Sequence, residues 1–235
     1  MKKLLFLFIL FLEIIPANAQ NKSIDLGIGV GGSFYWGDMT SNDLTRSIQP
    51  VYNGFFRYNF NPRYGIRVGG GFGSAAGDGQ FEETEWIFEK DFWEINTMFE
   101  FFFLEYFTGK DKYPFSPYIM GGIGIMGSSY DAGAAEAAGI PVEAASEGGD
   151  YYSENFTSVT LPFGLGVSFY LLPKFSLAVE ANFRKAAKDG FDDLINPHGF
   201  VANDNLHNND WVNFVGVTLN YKLFHPKRPC PAYDN

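Results

Sequence analysis

Six ionisable residues, Arg57, Arg67, Glu94, Glu100, Glu180 and Arg184, sit inside apolar and glycine-rich runs, three of each sign. Two carboxylates close together can act as a general acid and base. Glu94 and Glu100, however, are six residues apart in an extended run, about 20 Å, which is too far for a direct dyad. A second group gathers His198 and His207 with Asp192, Asp193, Asp204 and Asp210. These residue types ligate metal ions, but their spacing matches no ligand motif, and a solvated polar loop is the plainer account. No serine lies in a recognisable nucleophile turn, and the glycines alternate along the chain rather than forming a phosphate-binding loop. The sequence therefore presents no catalytic constellation and no cofactor or metal site. Its buried-looking charges call for a frame that can hold them opposite apolar neighbours.

That frame is legible as alternation. Ile24, Leu26, Ile28, Val30, Phe34 and Trp36 share one parity, while Asp25, Gly27, Gly29, Gly31, Ser33 and Tyr35 share the other, so a strand here has one oily and one small or polar face. The same split recurs over 51–60, 64–73, 92–104, 117–126, 159–171, 175–184 and 211–224. Arg57, Arg67, Glu94, Glu100, Glu180 and Arg184 all fall on the second face. A basic side chain facing lipid at the midplane costs about 2–4 kcal/mol, so charges on that face must point into a barrel. Inside eight strands the side chains nearly fill the space, and opposite charges pair across it. A soluble lipocalin-like barrel has the reverse pattern, with apolar residues inside. The outward rings Trp36, Tyr58, Tyr64, Trp93 and Trp211 lie near strand ends, where amphipathic aromatics meet a lipid interface. The expected class is all-β: an eight-stranded antiparallel transmembrane barrel of the outer-membrane type, with outer-membrane lipids around it.

Connection lengths give a second test. Short links fall at 61–63 and 172–174 and a medium one at 105–116, while long ones fall at 37–50, 74–91, 127–158 and 185–210. Short and long alternate, as they do when short turns face the periplasm and long loops face outward, which places both termini in the periplasm. The Lys2-Lys3 start, the apolar run Leu4–Leu12 and Ala17-Asn18-Ala19 read as a signal peptide over 1–19. The barrel then occupies 20–224, and 225–235 forms a periplasmic carboxyl-terminal tail. No later apolar stretch reaches the roughly 18–20 residues of a spanning helix. A net charge of −10 makes nucleic acid an improbable partner. The single cysteine, Cys230, allows no internal disulfide; it either pairs with a partner or remains a free thiol.

Several segments are similar to one family. Gly31-Gly32-Ser33-Phe34-Tyr35-Trp36-Gly37-Asp38-Met39 resembles the glycine-rich strand that ends in aromatic-x-Gly-Asp-Leu in PorG-like proteins, with Gly37 and Asp38 as the motif residues. Arg57–Arg67 resembles their second hairpin, Ser116–Gly124 their central strand, and Cys230-Pro231-Ala232-Tyr233 their terminal tail. The resemblance implies a non-enzymatic outer-membrane component of the type IX secretion system that contacts a periplasmic ring of PorK and PorN. The tail residues Lys227, Arg228, Cys230 and Tyr233 would then meet that ring. The alternative is a general small barrel of the OmpA/OmpX kind, serving envelope stability or adhesion through its long acidic loops.

Overall fold

A computed structural model describes residues 22–36, 48–81, 84–105, 113–129, 155–188, 191 and 210–224. Eight strands follow one another: β1 (Ser23–Trp36), β2 (Gln49–Asn61), β3 (Tyr64–Phe81), β4 (Thr84–Phe102), β5 (Phe115–Ser128), β6 (Phe156–Leu172), β7 (Phe175–Ala186) and β8 (Trp211–Phe224). Each pairs antiparallel with its neighbours in sequence, and β1 pairs with β8, so the sheet closes. Closure matters physically because it leaves no ring of unpaired backbone groups for lipid to meet.

Alternation decides which face is which. Ile28, Val30, Phe56, Phe72, Ile95, Ile123, Leu161, Leu165 and Val217 are exposed on the outside. Asp25, Arg57, Arg67, Glu94, Glu100, Glu180, Arg184 and Lys222 are buried on the inside. This is the reverse of a soluble barrel, as a lipid-facing exterior requires. Among the described residues no helix is long and apolar enough to cross a membrane.

Two connections at one end, here the turn end, are two-residue turns, Pro62-Arg63 and Pro173-Lys174. The first is organised by Asn61, whose Oδ1 accepts from the backbone N–H of Arg63 (2.8 Å) and of Tyr64 (3.0 Å), an Asx-type turn. Each turn is flanked by a register shift, between Asn59 and Asn61 and between Tyr170 and Leu172. Such bulges add local twist where the chain must reverse.

The opposite end, the loop end, brings a correction. Residues 74–91 are not a long irregular loop: β3 and β4 stay paired from Ser74↔Asp91 to Phe81↔Thr84, leaving only 82–83 between them. The two strands form a hairpin that rises past the ends of their neighbours, since β5 pairs with β4 only as far as Phe92↔Ser128. Eight further residues at about 3.3 Å each project the hairpin by roughly 26 Å along the strand.

Candidate functional site

The lumen holds most of its charges in one alternating chain. At the turn end Asn59 donates through Nδ2 to Ser23 Oγ (2.9 Å) and Asp25 Oδ2 (3.0 Å). Asp25 also faces Lys222 Nζ and Arg57 Nη1, each at 3.7 Å. Arg57 pairs through Nε with Glu100 and donates from Nη2 to its Oε1 at 3.1 Å. Arg67 Nε reaches the same Glu100 Oε1 at 3.4 Å, while Arg67 Nη1 donates to both oxygens of Glu180, at 2.9 and 3.1 Å. Tyr118 Oη and Asn182 Nδ2 complete the shell of Glu180. The order Asp25, Arg57, Glu100, Arg67, Glu180 thus runs negative, positive, negative, positive, negative across β1, β2, β4, β3 and β7. A separate pair lies nearer the loop end: Arg184 Nε meets Glu94 Oε2 at 2.5 Å, and Asn96 (3.0 Å) and Thr160 (3.2 Å) donate to the same carboxylate. Glu94 and Glu100 take different cations and form no dyad.

The aromatic floor explains why this chain can be dry. Phe55 projects inward from β2, and both guanidiniums lie over its ring, Arg67 at 4.4 Å and Arg57 at 5.1 Å. Cation–π contact partly replaces the water those groups lose. Across the sheet Phe55 pairs with Gly27 on one side and Gly69 on the other. A Cβ at Gly27 would collide with the ring, and one at Gly69 would come within 2.6 Å of the Phe55 Cβ. Glycine on both flanks is the condition for a phenylalanine inside so narrow a barrel.

One apolar cluster lies among the charges and another caps them. Met98, Phe102, Tyr118, Met120 and Ala178 pack together at the level of Arg67 and Glu100. Towards the loop end Tyr35, Val51, Phe92, Phe156, Phe191, Val212 and Phe214 form a plug. Phe191 is its centre, with ring centroids 5.6 Å from Phe156, 6.1 Å from Tyr35 and 6.2 Å from Phe92. Beneath the plug a cavity of about 20 Å³, lined by Phe55, Arg67, Glu94, Glu180 and Arg184 among others, has room for about one water. The lumen is therefore a packed core with ionic content, and Asp25, Glu94, Glu100 and Glu180 in it are engaged with cations rather than presented to solvent.

Sequence reasoning missed part of this site. Asp25 and Lys222 sit on the same parity as the six named residues and belong to the network; Lys90, also buried, lies on the inward face of β4 within the stretch read as a loop. Asp210, grouped above with possible metal ligands, is instead fully buried: it accepts from Tyr35 Oη and, at 2.6 Å, from the Phe191 backbone N–H. Among the described residues no cluster of histidine, cysteine and acidic side chains could hold a metal ion. His198, His207, Asp192, Asp193, Asp204, the motif pair Gly37 and Asp38, and the tail residues Lys227, Arg228, Cys230 and Tyr233 lie outside the described residues, as does the 1–19 segment.

Small outer-membrane barrels share this architecture. Neisserial surface protein A aligns over 86% of this chain and 99% of its own length with a TM-score of 0.51 at 12% identity. Ail, the attachment invasion locus protein of Yersinia pestis, gives 0.46 at 15% identity over 86% and 99% of the two chains. OprG from Pseudomonas aeruginosa gives 0.47 at 14% identity over 87% and 98%. At these identities the likeness concerns the fold alone. No curated protein matches the sequence. A family model spans residues 2–233, nearly the whole sequence including all eight strands; the chain accordingly belongs to the family described as domain of unknown function DUF6089.

Proposed function

We propose that this protein is a non-enzymatic outer-membrane barrel, with its turn end and both termini in the periplasm, that anchors a periplasmic partner assembly. The observation that carries the reading is the filled lumen. A barrel whose interior is filled by a bonded ionic chain and capped by an aromatic plug does not move a substrate; it offers rigidity and surfaces. At the turn end those surfaces are basic, with Lys22, Arg63 and Lys174 all exposed. By resemblance to PorG-like proteins, the partner is the PorK/PorN-type ring of a type IX secretion system, met by the turns and by the tail 225–235. Truncation after Phe224 should leave the barrel folded, because β8 ends there, and should reduce co-purification of the ring proteins severalfold. Undiminished co-purification of the truncated protein removes the tail from the interface.

A second reading is favoured by the loop end. The β3–β4 hairpin stands clear of the rim, and the sequence between Ser129 and Asn155 carries six acidic residues without a lysine or arginine. A barrel of this shape serves envelope stability or adhesion through its outer loops. Excising Ala132–Gly149 separates the two readings: lost surface binding with normal secretion supports adhesion, and unchanged surface binding removes the acidic loop from that reading.

A further inference from the structure

Three strands meet in a small grid where β5 ends. Register sets Trp93 beside Gly127 and Gly127 beside Thr157, then Phe92 beside Ser128 and Ser128 beside Phe156. Asp91, Ser129 and Asn155 are the next residues on the three segments. Alternation turns the first and third of these rows outward. Trp93, Thr157, Asp91, Ser129 and Asn155 are all exposed, whereas Phe92 and Phe156 belong to the inner plug. Gly127 leaves the centre of the lower row empty, and the Trp93 indole lies across it: a Cβ there would come within 2.7 Å of the ring. The result is a notch of about 370 Å³ with an indole along its lower edge. That volume is within the range of about 300–1,000 Å³ usual for small-molecule sites.

The chemistry of the lining is specific. Beside the outward aromatics Phe72 and Trp93, which pair across β3 and β4, a carboxylate, two hydroxyls and a carboxamide line the notch. Ser74 Oγ donates to Asp91 Oδ1 at 2.6 Å and orients that carboxylate. Among the described residues no lysine or arginine lines the notch, and Asp91 repels an anion, so a phosphate is disfavoured. An uncharged sugar ring satisfies every element: its C–H face rests on the indole while its hydroxyl edge meets Asp91, Ser129, Asn155 and Thr157. The indole sits at a belt, where amphipathic rings mark the headgroup level of a membrane.

We infer that this notch binds the sugar headgroup of a neutral glycolipid in the outer leaflet. The inference rests on the outer-membrane placement proposed above, with the loop end outermost. The test is native mass spectrometry of the full mature barrel released from phosphatidylcholine nanodiscs doped with either glucosyl diacylglycerol or phosphatidylglycerol. The wild-type protein should retain the glucosyl lipid in preference to the anionic one. Trp93→Leu should retain it about tenfold less, as expected when an aromatic anchor in a pocket is truncated. The double variant Asp91→Ala/Thr157→Val, confined to exposed positions, should lose retention while unfolding at the wild-type urea concentration. Equal retention by both variants and wild type overturns the site, as does preference for phosphatidylglycerol. A barrel that refuses to insert into the discs overturns the membrane placement and the inference with it.

Discussion

Replacing Arg67 with methionine is expected to lower the unfolding free energy of the barrel by about 3–5 kcal/mol, the loss typical when one partner of a buried ion pair is removed. The size follows from what stays behind. Glu180 loses the only cation bonded to it among the described contacts, and Glu100 keeps Arg57 alone. Both carboxylates remain in an interior where Glu100 has no exposed surface. Adding Glu180→Gln should recover part of the loss, because the uncharged amide can still accept from Tyr118 while the unbalanced charge disappears. Urea titrations of the folded protein in detergent micelles, followed by tryptophan fluorescence, give both numbers. If Arg67→Met/Glu180→Gln is less stable than Arg67→Met, charge balance is not what holds the lumen.

Phe55→Ala should cost a similar amount, about 3–5 kcal/mol, through the cavity it opens and the aromatic surface it takes from two guanidiniums. Gly27→Val should destabilise for the opposite reason, overpacking, by about 1–3 kcal/mol or more. Because valine would occupy space the phenyl ring has vacated, the combination Gly27→Val/Phe55→Ala should be less damaging than the two losses added together. The same titrations measure this coupling. Strict additivity would show that the ring and the glycine do not share space.

How much of this was legible beforehand depended on what each face of a strand must satisfy. Where lipid lies outside and charge inside, both faces are constrained, and runs such as Trp93-Glu94-Ile95-Asn96 declare their orientation without ambiguity. The stretch 74–91 was misread as a loop because, beyond the lipid, neither face of a hairpin needs to be apolar; its glycines, alanines and acids carry no parity. Phe55 escaped notice because an inward phenylalanine breaks the polar rule of its own face, and only the flanking glycines, from strands distant in sequence, make room for it. Asp210 shows another limit. Its partners Tyr35 and Phe191 are set by how the chain folds back at the rim, and no spacing along the sequence encodes that. The ion pairs were foreseeable as a class, since opposite charges confined in a narrow lumen must meet, but which arginine takes which carboxylate depends on register. That register is itself guarded by the charges, because a one-residue slip would turn Glu100 or Arg67 towards lipid.

The pairing of β1 with β8 sets Ile24 beside Phe224. In the native state the barrel is thus a circle, and where its chain begins is almost arbitrary. A permuted chain, with a short linker joining those neighbouring ends and new termini opened in the loop-end connection after Trp36, keeps every strand pair. For a chain emerging in order, the starting point is decisive. The first strand to appear has one edge that stays unsatisfied until the last strand arrives, so closure is a contact between the two extremes of the polypeptide and carries the greatest loop-closure entropy of the fold. Until that seam shuts, both edges can pair with other chains. The step most exposed to failure is therefore the final one, and delivery of an intact β8 controls whether any of the earlier pairing is kept.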